Sequence, residues 1–156
     1  MKKLLELSGF LALALAIVVF VLMMATPAIV TKDADVISSG VETIFGKDWN
    51  LAPLALVAWI FVLLAIIVIC VTVVLPLVKK VKGLEKIAGL LNICACLLLL
   101  LAGLFMFLTL TSWKSANLGN LGDPRIGAGW VIGGIIAFGA GALLILPAVM
   151  NLVKKK

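Results

Sequence analysis

The apolar positions of this chain neither alternate nor form one-sided stripes. They run together in four stretches, Leu7 to Thr31, Trp49 to Val78, Ile87 to Trp113 and Ile126 to Val153, none containing a charged residue. A hydrocarbon core about 30 Å thick takes roughly 20 apolar helical residues to cross, and every run is longer than that. A surface helix of a water-soluble domain needs a polar face, and the strands of a membrane barrel alternate over about ten residues. Neither pattern is present. The sequence therefore predicts an all-α integral membrane protein of four transmembrane helices. The opening Met-Lys-Lys before an apolar run also describes a secretory signal. The run from Leu7 exceeds the usual apolar segment of such a signal, and no small-x-small cleavage site ends it. It reads as a retained first helix.

Charge supplies an orientation. Lys2, Lys3, Lys79, Lys80, Lys82, Lys86, Lys154, Lys155 and Lys156, nine of the thirteen basic residues, sit at the two termini and in the turn between helices two and three. The other two connections carry Lys32, Lys47, Lys114 and Arg125 against Asp33, Asp35, Glu42, Asp48 and Asp123. The positive-inside bias places both termini and the Lys-rich turn in the cytoplasm, which suits the cytoplasmic membrane of a prokaryote. The net charge of +6 then reflects contact with anionic headgroups and calls for no nucleic acid.

A repeat underlies the hydropathy. Pro53, Trp59, Leu75, Pro76 and Val78 recur as Pro124, Trp130, Leu146, Pro147 and Val149, every pair 71 positions apart. A weaker match, displaced by 80, relates Lys2, Leu4, Leu7, Ser8, Gly9 and Leu11 to Lys82, Leu84, Ile87, Ala88, Gly89 and Leu91. The chain reads as a single membrane domain of two tandem hairpins, 1–78 and 82–153, related by an axis along the membrane normal. Pro53 suits the first turn of helix two, where its missing N–H has no helical partner. Pro76 and Pro147 are expected to kink their helices.

The first long connection, TKDADVISSGVETIFGKDWN, places Ile37, Val41, Ile44 and Phe45 at helical spacing. It predicts a short amphipathic extracytoplasmic helix, capped by Asp33 or Asp35, ended by Gly46 and anchored by Trp49, lying on the outer leaflet or over the helix ends. The second, SWKSANLGNLGDPR, reads as turn sequence through Asn117, Gly119, Asn120, Gly122 and Pro124. Asp123 stands where it would cap helix four.

Helix four is rich in glycine and alanine over residues 127–144, poor helix formers for an aqueous helix but suited to close approach of helices in a bilayer. Gly129, Gly133, Ala137 and Gly141 repeat every four residues, and Gly127 and Gly134 widen the stripe. Helix one has a fainter counterpart in Ser8, Ala12 and Ala16, and helix three in Gly89, Cys96 and Gly103. Such faces serve contacts within the chain or with a second one.

Reactive groups are scarce. The chain has no histidine, and its acids do not cluster, so no metal, cofactor-binding or catalytic residue is expected. Cys70, Cys94 and Cys96 lie inside helices, and Cys94 and Cys96 are two apart, so they do not share a helical face. No acid, base or histidine, the usual marks of ion coupling, lies deep in the membrane. The most polar deep residue is Asn92, a possible intramembrane polar contact, with Thr72 and Thr109 behind it.

In helix number and orientation the chain is similar to small multidrug transporters and to claudin-like proteins. The first are shorter and carry a coupling acid in helix one, where this chain has only Glu6 near the helix end. The second carry a large first outer loop with a tryptophan and paired-cysteine signature that is absent here. The similarity is architectural, and no residue role is carried over. Plentiful small-residue faces and scarce reactive groups point to a non-enzymatic membrane subunit, with lipids and itself or another membrane protein as partners. The alternative is a small channel or uncoupled transporter for an ion or small solute, working through backbone groups and Asn92.

Overall fold

A computed structural model of the chain describes residues 2–78, 83–117 and 123–153. In chain order it contains α1 (Lys2–Ala25), β1 (Pro27–Val30), β2 (Val36–Ser39), α2 (Gly40–Phe45) and α3 (Pro53–Ile69). A π-helical turn, Cys70–Val74, joins α3 to α4 (Leu75–Val78), and α5 (Leu84–Ala116), β3 (Arg125–Ile126) and α6 (Ala128–Val153) complete the fold. Among the described residues four helical segments are long and apolar enough to cross a membrane: α1, α3 with the π turn, α5 and α6. They run alternately up and down around a ring, α1 against α3 and α6, and α5 against the same two. The start of α1, the end of α4, the start of α5 and the end of α6 share one end of the bundle, the terminal end. The two longer connections share the other, the loop end.

The four apolar helices agree with the all-α membrane fold expected, and the loop end adds to them a small three-stranded antiparallel sheet in the order β2-β1-β3. The uncharged run continues to Thr31, yet α1 stops at Ala25. Pro27 has no N–H to extend the helical ladder, and a residue before proline is pushed out of the helical region. The apolar Pro27–Val30 segment finds its hydrogen bonds sideways instead, to β2 and β3.

The short helix of the first connection exists as α2, six residues long. Its cap is Ser39, not Asp33 or Asp35, because residues 36–39 are extended and the helix starts only after them; Gly46 ends it with φ 74. Ile37 belongs to β2, and Ile44 is fully buried while Val41 and Phe45 are exposed, so the four apolar residues do not share one face. Gly40 is the tight point. Its N–H donates to the Thr26 carbonyl at 3.1 Å, and a side chain there would strike the Met23 carbonyl. The helix packs on both α1 and α3, close against the end of α1, with Phe45 edge-on to Trp59 at 5.1 Å.

The small residues of α6 meet partners within the chain. Gly127 faces the Pro27 carbonyl, Gly129 faces Thr26, and Gly133 meets Met106 and Leu22. Gly134 and Ala137 flank Gly103 of α5, and Gly141 packs on Leu100 and the Cys96 carbonyl. Between α5 and α6 the main chains approach at Gly103 and Gly134, where an added Cβ on Gly103 would lie 3.0 Å from the Gly134 carbonyl oxygen. The stripe thus serves two neighbours, α1 with β1 on one side and α5 on the other. Ala12 and Ala16 of α1 and Ala95 of α5 are fully buried in the terminal half, with Ile69, Leu99 and Leu144. The loop half is filled by bulkier groups, Met23, Val62, Met106, Trp113 and Trp130.

The two hairpins differ in detail. Pro53 opens α3, whereas Pro124 precedes β3. Pro76 follows a π turn in which the Leu75 N–H donates to the Cys70 carbonyl, whereas Pro147 lies within α6.

Two alanine substitutions separate packing from propensity. Gly127→Ala places a methyl group against the Pro27 carbonyl and should lower the melting temperature in detergent, by an amount corresponding to the roughly 1–3 kcal/mol typical of overpacking. Gly139 has no atom within 4 Å of an added Cβ, so Gly139→Ala should leave stability unchanged or raise it by up to about 1 kcal/mol. Equal effects at the two positions would contradict this packing.

Candidate functional site

Among the described residues, the polar side chains that bond one element to another form a cap at the loop end, and one amide lies deep in the terminal half. The cap begins with a reciprocal pair at the start of α2. The Glu42 N–H donates to Ser39 Oγ at 3.3 Å, and the Ser39 N–H donates to Glu42 Oε2 at 3.0 Å, satisfying two N–H groups that helix geometry leaves free. The Ser39 hydrogen bonds, main-chain one first, hold the Glu42 carboxyl below the usual glutamate range. Beside it, Thr43 Oγ1 donates to the Ser39 carbonyl at 2.8 Å, which leaves its oxygen to accept from Ser38 Oγ at 2.8 Å. Both hydroxyls are buried.

Loop one is clasped to loop two. The Asn50 N–H donates to Asn117 Oδ1 at 2.8 Å, Asn117 Nδ2 returns a bond to the Asn50 carbonyl at 3.0 Å, and Asn50 Nδ2 reaches the Ala116 carbonyl at 2.9 Å. Trp49 donates its indole N–H to the Ile37 carbonyl at 3.1 Å and packs edge-on to Trp113 at 5.7 Å. The Leu54 N–H, free in the first turn of α3, is taken by Ser112 Oγ at 3.2 Å. Trp49 is therefore tied into the cap as well as placed near the membrane boundary.

Asp123 does not cap helix four. Arg125 and Ile126 are drawn into the sheet, so Gly127 precedes the helix and its carbonyl accepts from the Trp130 and Val131 N–H groups. Asp123 instead pairs with Arg125 at 3.2 Å, an exposed contact worth at most about 1 kcal/mol. Asn117 lies in the clasp, and the turn residues Gly119, Asn120 and Gly122 lie outside the described residues. So do Lys79, Lys80, Lys82 and Lys154 to Lys156.

Asn92, the deep amide, is 5% exposed on α5, and its Oδ1 has no hydrogen-bond partner. Thr72 and Thr109 return their hydroxyl protons to carbonyls of their own helices, Ile69 and Phe105. Sequence reasoning singled out Asn92 but not the indoles of Trp59, Trp113 and Trp130, whose N–H groups are also buried without a partner. Only the identity of tryptophan, where phenylalanine would pack as well, hints at them. Cys70, Cys94 and Cys96 are free thiols. Among the described residues no three His, Cys, Asp or Glu side chains come together. No family model, curated protein or solved structure matches the chain.

The cap gives a pH dependence with a definite sign. Because the folded-state pKa of Glu42 is depressed, its contribution is complete above the unfolded glutamate value, near 4.3, and is lost as pH falls through the lower folded value. Protection of the Ser39 and Glu42 amides from exchange, measured against the free-peptide rate at each pH, should fall over that acid range. Glu42→Gln should keep the cap, since glutamine also closes such a pair, and remove the pH dependence. Ser39→Ala should weaken α2 at every pH, by about 0.5–2 kcal/mol. An acid response unchanged in Glu42→Gln would refute the assignment.

Proposed function

We propose that the chain is a non-enzymatic subunit of the cytoplasmic membrane of a prokaryote, with both termini in the cytoplasm, that assembles with copies of itself or with a larger membrane protein. The observation that carries this reading is the cap. It is ordered by the Ser39–Glu42 pair and the Asn50–Asn117 clasp, yet it leaves Val36, Val41 and Phe45 exposed at 58%, 42% and 46%. Val41 and Phe45, one turn apart with Phe45 edge-on to Trp59, suit lipid. Val36 stands next to the charged Lys32–Asp35 turn, where an exposed apolar side chain is better suited to a protein neighbour than to lipid.

The helix-four stripe supports a compact protomer rather than an assembly surface, since its glycines meet partners in the same chain. A small channel or uncoupled transporter has less support. Fully buried Ile69, Leu99, Met106 and Leu144 fill the bundle along its length, so a path through one protomer would require them to separate. The tandem relation of the hairpins rests on the shared displacement of 71 between the Pro and Trp pairs, with the first hairpin adding α2 and β2 to a common plan.

Two measurements test the reading. In a chain whose own cysteines are replaced by alanine, cysteine at Asp33 should label from outside intact cells and cysteine at Lys82 only after permeabilisation. The opposite pattern would reverse the orientation. Affinity purification from native membranes, with mass spectrometry of the eluate and mass determination in nanodiscs, should recover either a multiple of the chain or a membrane protein in fixed ratio to it, and Val36→Lys should reduce the recovery. A monomer without a stoichiometric partner would overturn the subunit reading.

A further inference from the structure

Among the described residues, α2 is the only helix that neither crosses the membrane nor continues a crossing helix. Contacts at its two ends fix its placement. At the start, the Gly40 N–H donates at 3.1 Å to the carbonyl of Thr26, the residue after α1. At the finish, the Phe45 ring lies edge-on to Trp59 at 5.1 Å, and Trp59 lies 6.1 Å from Phe20 of α1. Phe20 and Trp59 belong to the apolar spans Leu7–Ala25 and Pro53–Val74, each more than a turn from the loop end of its helix. α2 thus runs from the end of one crossing helix to the flank of the next, and its last side chain reaches into the apolar spans.

Chemistry divides the six residues in the same sense. Thr43 is tied to Ser38 Oγ and to the Ser39 carbonyl, and Glu42 to Ser39, so the polar flank is turned toward β2 and the sheet. Ile44 is fully buried, whereas Val41 and Phe45 are exposed on the remaining flank. Val21 and Ile60, next in sequence to Phe20 and Trp59, are exposed as well, as lipid-facing residues of crossing helices are. The apolar flank of α2 therefore widens the lipid-facing surface at the loop side of the bundle. An interfacial helix of this kind buries its apolar side about 5–10 Å into the boundary between headgroups and acyl chains, and its binding depends on membrane curvature.

The terminal end has no counterpart among the described residues, where the elements present are only the ends of α1, α4, α5 and α6. α2 displaces lipid in the loop-side leaflet with nothing described to balance it in the other. We propose that α2 is a wedge in that leaflet, so that the lipid surface this chain fits is one convex on the loop side. Bending a leaflet outward spreads its headgroups and opens gaps over the acyl chains, and Val41 and Phe45 fill such gaps. The proposal rests on the assignment of these two side chains to lipid and not on assembly with a partner.

Membrane tubes drawn outward from giant vesicles of phosphatidylcholine and phosphatidylglycerol supply the test. The full chain, with its own cysteines replaced by alanine and with Asp33→Cys in the hairpin turn, is reconstituted and labelled with an impermeant dye, so that only molecules with the loop side outward are seen. Their density relative to a lipid dye should be higher on the tube than on the vesicle, and the ratio should climb as the tube narrows. With Val41→Ser and Phe45→Ser together it should fall toward unity, the melting temperature showing that the bundle stays folded. Should that variant fail to fold, Val41→Ser alone leaves the Phe45–Trp59 contact in place and should still lower the ratio. A ratio of unity in the parent chain, or one that the substitutions leave unchanged, overturns the proposal. So does a loss of oligomer mass in nanodiscs on the same substitutions, since a second copy and not lipid then covers the two side chains. Sorting by a chain that is monomeric in nanodiscs supports the wedge and refutes the subunit reading, so the two fail separately.

Discussion

Helices surrounded by lipid gain little by hiding apolar surface from one another, because the lipid is as apolar as they are; what holds them is fit. That constraint explains why glycine and alanine are concentrated at the contacts of this bundle. Gly103 lies against Gly134, Gly141 against Leu100, and Gly9 against Val73, each bringing main chain close to a neighbour. The bulkiest buried groups, Met106, Trp113 and Trp130, lie in the loop half.

The same constraint shapes the loop end. Main-chain groups at the membrane boundary need partners as much as those inside it, and here the two connections supply them to each other. The Gly127 N–H donates to the Ala28 carbonyl at 2.8 Å, the Ala52 N–H to the Thr43 carbonyl at 2.8 Å, and Ser112 serves the first turn of α3. Gly127 and Gly40 have no side chain because carbonyls of the Pro27 and Met23 peptides occupy that space. Trp49, bonded to the outward carbonyl of Ile37, covers part of the β2 edge and limits the pairing that open sheet edges invite.

Much of this was legible in the sequence. The four crossings could be read because a charge inside a bilayer is costly and its absence over a long run is unambiguous. Pro53 at the first turn of α3 and Gly46 at the end of α2 could be read from backbone chemistry alone. The strands could not. Pro27–Val30 continues an apolar run, and its β character comes from partners at residues 36–39 and 125–126 that no local pattern announces. That in turn hid the starts of α2 and α6, so Ser39 and Gly127 hold positions that the aspartates seemed suited to fill. Asn92 stood out as the most polar deep side chain. The π geometry of the turn before Pro76 had no such local signal.

The central strand makes the order of synthesis matter. β1 pairs on one side with a segment that follows it within a few residues, and on the other with Arg125 and Ile126, which the ribosome adds only after α3 and α5. A chain emerging from its N-terminus carries an unfinished sheet edge at the membrane surface through two further crossings. During that interval the Ala28 carbonyl lacks its Gly127 partner and is open to water, to insertion machinery or to a neighbouring copy. The loop end is thus the last part of the molecule to close, and the two residues of β3, the shortest element of the fold, act as its latch.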